Sequence, residues 1–142
     1  MRVVLDVNLL VSAGLTPGGE AHAILDLADA GYDLLLSGFI LQQVEKVLNY
    51  PRVRSSFPHV TQDVISRHLA ELKATGIFVN EETAVSVSFD PEDNRILAAA
   101  VDGKADYIVT RNVSHFPTVY GRVKVLSPAE FLKFVRQREP EP

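Results

Sequence analysis

Asp6 closes a short apolar run, Arg2-Val3-Val4-Leu5, and Asn8 follows two residues later. Such a run reads as a buried parallel strand, and in open α/β sheets ligands gather at the carboxyl ends of strands. An unpaired charge is expensive to bury, so a carboxylate at that point belongs to a site rather than to the core. Its expected partner is Asp93, within Asp90-Pro91-Glu92-Asp93. That segment has the pattern of a helix start, with Asp at the cap and Pro at the first position. Asp93 could simply complete the cap and suit the positive end of the helix dipole. Yet it precedes Ile96, Leu97 and Ala100 by three, four and seven residues, which puts it on the apolar face. From there it should overhang the sheet end where Asp6 stands, so the expectation is a shared carboxylate site.

Further candidates sit after other strands. Thr110-Arg111-Asn112 follows one apolar run, and Ser37 follows another, ahead of a helix that carries Gln43 and Glu45. Asp106 comes just before its strand, hence at the opposite end of the sheet, and reads as a turn residue. The histidines at 22, 59, 68 and 115 show no ligand spacing, and His68, on the inner side of a helix, reads as a core histidine. No serine lies in a Gly-x-Ser-x-Gly elbow, and Gly14, Gly18 and Gly19 match no phosphate-binding pattern.

The elements that must position these residues follow from hydrophobic period and punctuation. Apolar runs alternate with amphipathic stretches, which predicts a three-layer α/β/α sandwich around a mainly parallel sheet of about five strands. Strands are expected at 2–5, 33–37, 77–80, 107–110 and 123–126. Residues 85–89 are an edge strand or an extended loop. Helices are expected at 9–13, from Ala21 to Gly31, at 39–49 with Pro51 as the stop, from Thr61 to Gly76, and at 90–101. A last helix opens on the capping box Ser127-Pro128-Ala129-Glu130. Residues 1–136 read as a single domain and 137–142 as a flexible tail.

Composition bounds the class. The chain has 142 residues, 46% hydrophobic and 23% charged, as in an ordinary globular protein. It has no cysteine, which excludes a disulfide framework and a thiolate site and fits a cytoplasmic protein. No stretch reaches the roughly 18 apolar residues of a membrane span, and no signal peptide is evident. The net charge of −4 is no broad footprint for nucleic acid.

Four segments in this order resemble those of a PIN domain, the metal-dependent ribonuclease fold of VapC-like toxins. They are Val4 to Asn8, Ser37 to Leu48, Asp90 to Asn94, and Ala105 to Asn112. The resemblance covers nearly the whole chain. It implies acidic residues converging at the carboxyl end of the sheet to hold Mg²⁺ or Mn²⁺, which take oxygen ligands. It further implies RNA as substrate, a homodimer and an antitoxin partner. Carried over by position, the metal acids fall on Asp6 and Asp93. Asn8, Ser37, Thr110 and Arg111 take supporting or substrate-facing places. Two catalytic positions depart: Gln43 and Asn112 stand where the family has acids. Their amides keep an oxygen but lose charge and general-base capacity. Glu45 is no simple substitute, because residues two apart on a helix point about 200° away from each other. Two readings stay open, a PIN-type endoribonuclease and a degenerate PIN domain that binds RNA or protein without cutting. A phosphotransfer enzyme of the haloacid dehalogenase type would want Asp-x-Asp where this chain has Asp6-Val7-Asn8.

Overall fold

The computed structural model of the protein describes residues 1–138. Its strands are β1 (Arg2–Leu5), β2 (Asp33–Leu36), β3 (Ile77–Phe78), β4 (Tyr107–Val109), β5 (Val119–Tyr120) and β6 (Val123–Leu126). Its helices are α1 (Val7–Leu15), α2 (Glu20–Asp26), α3 (Gly38–Leu48), α4 (Pro51–Ser56), α5 (Gln62–Thr75), α6 (Pro91–Asp102) and α7 (Pro128–Arg138). The six strands lie in the order β3-β2-β1-β4-β6-β5, with helices around them in a three-layer α/β/α sandwich. Every pairing is parallel except β5 with β6.

β1 is central because it can be. Val3, Val4 and Leu5 have no polar side to show water, and all three are buried. The chain leaves β1 toward β2 and β3, then crosses back to build β4 and β6 on the other side. The strand order therefore reverses between β1 and β4, and the crevice at their carboxyl ends is where this topology accommodates a ligand. Register there is set by direct pairing of Leu5 with Val109.

α6 packs on β1, β2 and β4, while α1, α2, α3 and α5 pack against one another. α1 and α5 approach so closely that a Cβ on Gly14 would sit 2.7 Å from the His68 ring. His68 is buried, with Nε2 2.9 Å from the Leu10 carbonyl, a core histidine as its position on the helix suggested. Phe131 of α7 is fully buried and meets the Tyr32 ring edge-on at 5.1 Å. The capping box of α7 is reciprocal: Glu130 N–H donates to Ser127 Oγ and Ser127 N–H to Glu130 Oε1, each at 3.2 Å.

Several elements differ from expectation. α1 starts at Val7 rather than Leu9, immediately after the strand, because Asp6 caps it. The helix ahead of Pro51 ends at Leu48, close to expectation, but Pro51 also occupies the first turn of an unanticipated helix, α4, where its missing N–H is no loss. Of the two readings open for residues 85–89, the structure shows the loop rather than the edge strand, and β5, which sequence reading did not anticipate, is only two residues long. Gln137 and Arg138 lie in α7 rather than in a tail, and the rest of the expected tail, residues 139–142, falls outside the described residues. Among the described residues, no helix is long and apolar enough to cross a membrane.

Candidate functional site

The chain turns from β1 into α1 at Asp6, whose backbone is extended (φ −61°, ψ 152°) while its carboxylate caps the helix. Oδ1 accepts the Val7 N–H at 2.8 Å. Oδ2 accepts the Thr110 hydroxyl at 2.7 Å. Thr110 is fully buried just past β4, and its Oγ1 also accepts the Asn112 N–H at 3.0 Å. A hydroxyl has one proton to give, and here it goes to Asp6. The side chain is thereby locked from below by the neighbouring strand. Burial pushes the Asp6 carboxyl above its ordinary value, opposed by the Thr110 and Val7 hydrogen bonds, with nearby Asp90 adding to the rise and His115 reducing it.

The opposite wall is the start of α6. Asp90 caps it by accepting the Glu92 N–H at 2.9 Å. Asn94, one turn in, fastens the preceding loop: its Oδ1 accepts the N–H groups of Val87 (3.0 Å) and Ser88 (2.8 Å), and its Nδ2 donates to the Ser88 carbonyl (3.0 Å). Asp93 faces inward and is held loosely, with Ser88 Oγ 3.5 Å from Oδ2. Its carboxyl is raised by burial and then by the negative charges of Asp90 and Asp6, with His115 and Ser88 opposing. Asp6 and Asp93 thus share one electrostatic environment, and α6 carries Asp93 to the sheet end as its spacing anticipated.

These residues line a narrow cleft of about 190 Å³. It brings together Asp6, Asn8, Gln43, Asp93 and Asn112, and adds Asp90, Glu92, His115, Phe39 and Tyr50. Three sequence candidates stand elsewhere. Ser37 is fully buried and caps α3 by accepting the Ile40 N–H at 3.2 Å. Thr110 lies beneath Asp6 rather than on the cleft wall. Arg111 turns outward to donate to Ser12 Oγ at 2.9 Å. Glu45 is exposed and does not line the cleft, in keeping with its helical phase relative to Gln43.

His115 was invisible to spacing arguments. A short 3-10 turn, Val113–His115, carries it to the cleft mouth. The only signal was its position three residues after Asn112. Asp90 and Glu92 were legible as helix-start residues, but that they also face the cleft depends on where α6 lands on the sheet.

Among the described residues, four carboxylates line the cleft and no Lys or Arg does. Arg95 is occupied outside it, paired with Glu81 at 2.9 Å and stacked 4.2 Å over the Phe39 ring. The donor set is rich in oxygen, which suits a hard divalent cation. Among the described residues, however, no three His, Asp or Glu side chains converge into a metal cage. Two carboxylates that do not close a cage suit the Mg²⁺ type of binding, in which the ion keeps several waters and takes further contacts from a phosphate.

Residues 2–114 match a family model described as a PIN domain. An uncharacterized protein of Methanocaldococcus jannaschii is 25% identical over 94% of this chain and 90% of its own length. Among solved structures, VapBC2 from Rickettsia felis bound to a DNA fragment from its promoter aligns with a TM-score of 0.64 at 13% identity, over 89% of this chain and 98% of that one. FitAcB from Neisseria gonorrhoeae aligns at 0.52 with 16% identity, over 89% and 98% of the two chains.

Proposed function

The chain belongs to the PIN-domain family, and on that premise we propose that it is a divalent-cation-dependent endoribonuclease, the toxin-like component of a pair with a protein antitoxin. The observation that carries this reading is Asp6, held by Thr110 at the sheet's switch point and facing Asp93 across a cleft without Lys or Arg. Among the charged and titratable groups around that cleft, a phosphodiester meets acids, one imidazole and one phenol, and no Lys or Arg of the described residues. It becomes a ligand when a cation neutralises the acids, and the oxygen donors present suit Mg²⁺ or Mn²⁺. Asp6 and Asp93 are the residues that would hold the ion, directly or through water. When bound, such an ion would stabilise negative charge on the phosphate and lower the pKa of water, so that hydroxide is available as the nucleophile.

The remaining residues position rather than ligate. Thr110 keeps one Asp6 oxygen fixed. Asn8, Gln43 and Asn112 supply neutral amide oxygens and N–H groups that can orient water or a phosphate oxygen without adding charge. His115, at the mouth, is an imidazole within the cleft lining, placed to give a proton to a departing oxygen. The VapBC and FitAB relatives are protein complexes, which supports an antitoxin partner and a second copy of this chain. We place the enzyme in the cytoplasm, where its RNA is.

The amides at 43 and 112, with no three-acid cage, favour a second reading: a PIN module that binds RNA without cutting it. RNA cleavage with Mg²⁺ or Mn²⁺ decides between them. Wild type should cut, and Asp6→Asn should not. A silent wild type beside an active Gln43→Glu/Asn112→Asp double variant would establish the binding module instead.

A further inference from the structure

Phe89 is the most exposed large apolar side chain described, at 108% of its reference surface. An aromatic ring left wholly in water forgoes the stabilisation its burial would bring, and the usual outcome for a loop phenylalanine is to fold it back onto the core. Here the backbone on both sides is fixed. Asn94 holds Val87 and Ser88 through three hydrogen bonds, and Asp90 is committed to capping α6. The ring is held outward on an anchored segment.

It borders a hollow of about 550 Å³ whose walls include Val87, Phe89, Ser114, Phe116 and Pro117. The hollow adjoins the acidic cleft, with Asp90, Asp93 and His115 lining both. Among the described residues, no Lys or Arg lines it and two of its walls are carboxylates, so a phosphate without a cation is unwelcome there. A flat, neutral, partly apolar group suits it. A nucleobase has that chemistry, and every base offers a face for an aromatic ring.

We propose that Phe89 is a stacking platform for an unpaired base of single-stranded RNA, the base next to the phosphate that enters the Asp6–Asp93 cleft. This rests on the endoribonuclease reading for the identity of the polymer. It adds a named contact for a base beside the cleft, one that a base locked in a duplex cannot make. It also adds tolerance of base identity, because stacking reads a face rather than an edge.

The chain has no tryptophan, so Phe89→Trp introduces a single fluorescent reporter at the position in question. Binding of short oligoadenylate strands should quench it, and an abasic ribose-phosphate strand of the same length should not. In parallel, Phe89→Ala should weaken oligoadenylate binding about tenfold, the scale of one stacked base. It should leave abasic-strand binding and the melting temperature unchanged. An RNA that binds equally to wild type and Phe89→Ala overturns the proposal. So does quenching that depends on protein concentration without RNA, which would mean a second copy covers the ring. Cleavage and stacking fail separately: quenching without cleavage keeps the platform and removes the nuclease, whereas cleavage indifferent to Phe89 does the reverse.

Discussion

Asp6 and Asp106 stand at opposite ends of the same strand pair, and each ties β1 to β4. At the carboxyl end, Asp6 after β1 accepts the hydroxyl of Thr110 after β4. At the amino end, Asp106 before β4 accepts the N–H of Arg2 at 2.8 Å and pairs with Arg122 at 2.7 Å. The same residue type serves the same pair of strands with opposite electrostatic outcomes. Burial raises the Asp6 carboxyl, and its nearest charged neighbours are acids with one histidine. The Arg2 N–H, then Arg122, lowers Asp106. One end of the sheet spends stability on a poised negative charge, and the other end uses a negative charge to hold the sheet together.

Exchange of each acid in turn tests the division most severely. Asp6→Asn should abolish metal-dependent RNA cleavage while the protein remains folded. Asp106→Ala should leave the cleavage rate of the folded enzyme unchanged but destabilise it by about 1–2 kcal/mol, through the lost charged acceptor of a main-chain N–H. Cleavage assays beside thermal melts read both. An Asp106→Ala enzyme that melts normally but cuts poorly would erase the distinction.

Thr110 sharpens the same comparison one shell out. It touches no substrate in this reading, and acts through the orientation of Asp6. Thr110→Val keeps the shape and removes the donor. Cation-dependent activity should fall about 10- to 100-fold, the usual cost of removing a partner of a metal-binding side chain. Thr110→Ser should restore most of it. Activity kept in Thr110→Val and lost in Thr110→Ser would point to packing of the methyl group rather than to the hydrogen bond.

The two ends should also separate with pH. A carboxyl raised on folding takes up its proton more readily in the folded protein. Asp6 therefore makes the fold less stable as pH climbs from the ordinary 3.8 through its raised value. Asp106 has the opposite sign: its contribution is complete above 3.8 and is lost as pH falls through its lowered value. Relative to wild type, Asp6→Asn should gain stability as pH rises through the first window. Asp106→Ala should close its deficit only below 3.8. Melting curves of the three proteins across pH 3 to 7 measure both. Cleavage should share the upper window, because Asp6 and Asp93 must be ionised to hold a cation.

The carboxyl-end chemistry was partly legible in the sequence, and the reason is phase. Asp93 shares a helical face with Ile96 and Leu97, so periodicity pointed it at the sheet end, whereas Gln43 came from the family resemblance and periodicity added only that Gln43 and Glu45 cannot both face the cleft. β1, α5 and the α7 capping box were legible for the same reason: each carries its signal within one window of sequence. β5, with two residues, is shorter than one alternation and carries none, whereas β3 was expected at 77–80 and is found at Ile77–Phe78. α4 was hidden because Pro51 signals an end and a beginning alike. His115 reaches the cleft only through a 3-10 turn whose direction depends on packing, and Phe89 lies in a loop whose clamp, Asn94, reads in sequence as one more polar helix residue.

Ser37 makes the smallest prediction and sets the limit of the comparison. It follows β2 as Thr110 follows β4, so position alone would give both a role in the site. Ser37, however, accepts the Ile40 N–H and is fully buried, away from the cleft wall. Ser37→Ala should cost about 1 kcal/mol, the usual loss for a helix cap, and leave cleavage by the folded enzyme unchanged. Ser37→Thr should recover the stability where the extra methyl fits. Should Ser37→Ala instead lower cleavage with no change in melting temperature, the carboxyl end of β2 would belong to the site, and the functional edge would extend over three strands rather than two.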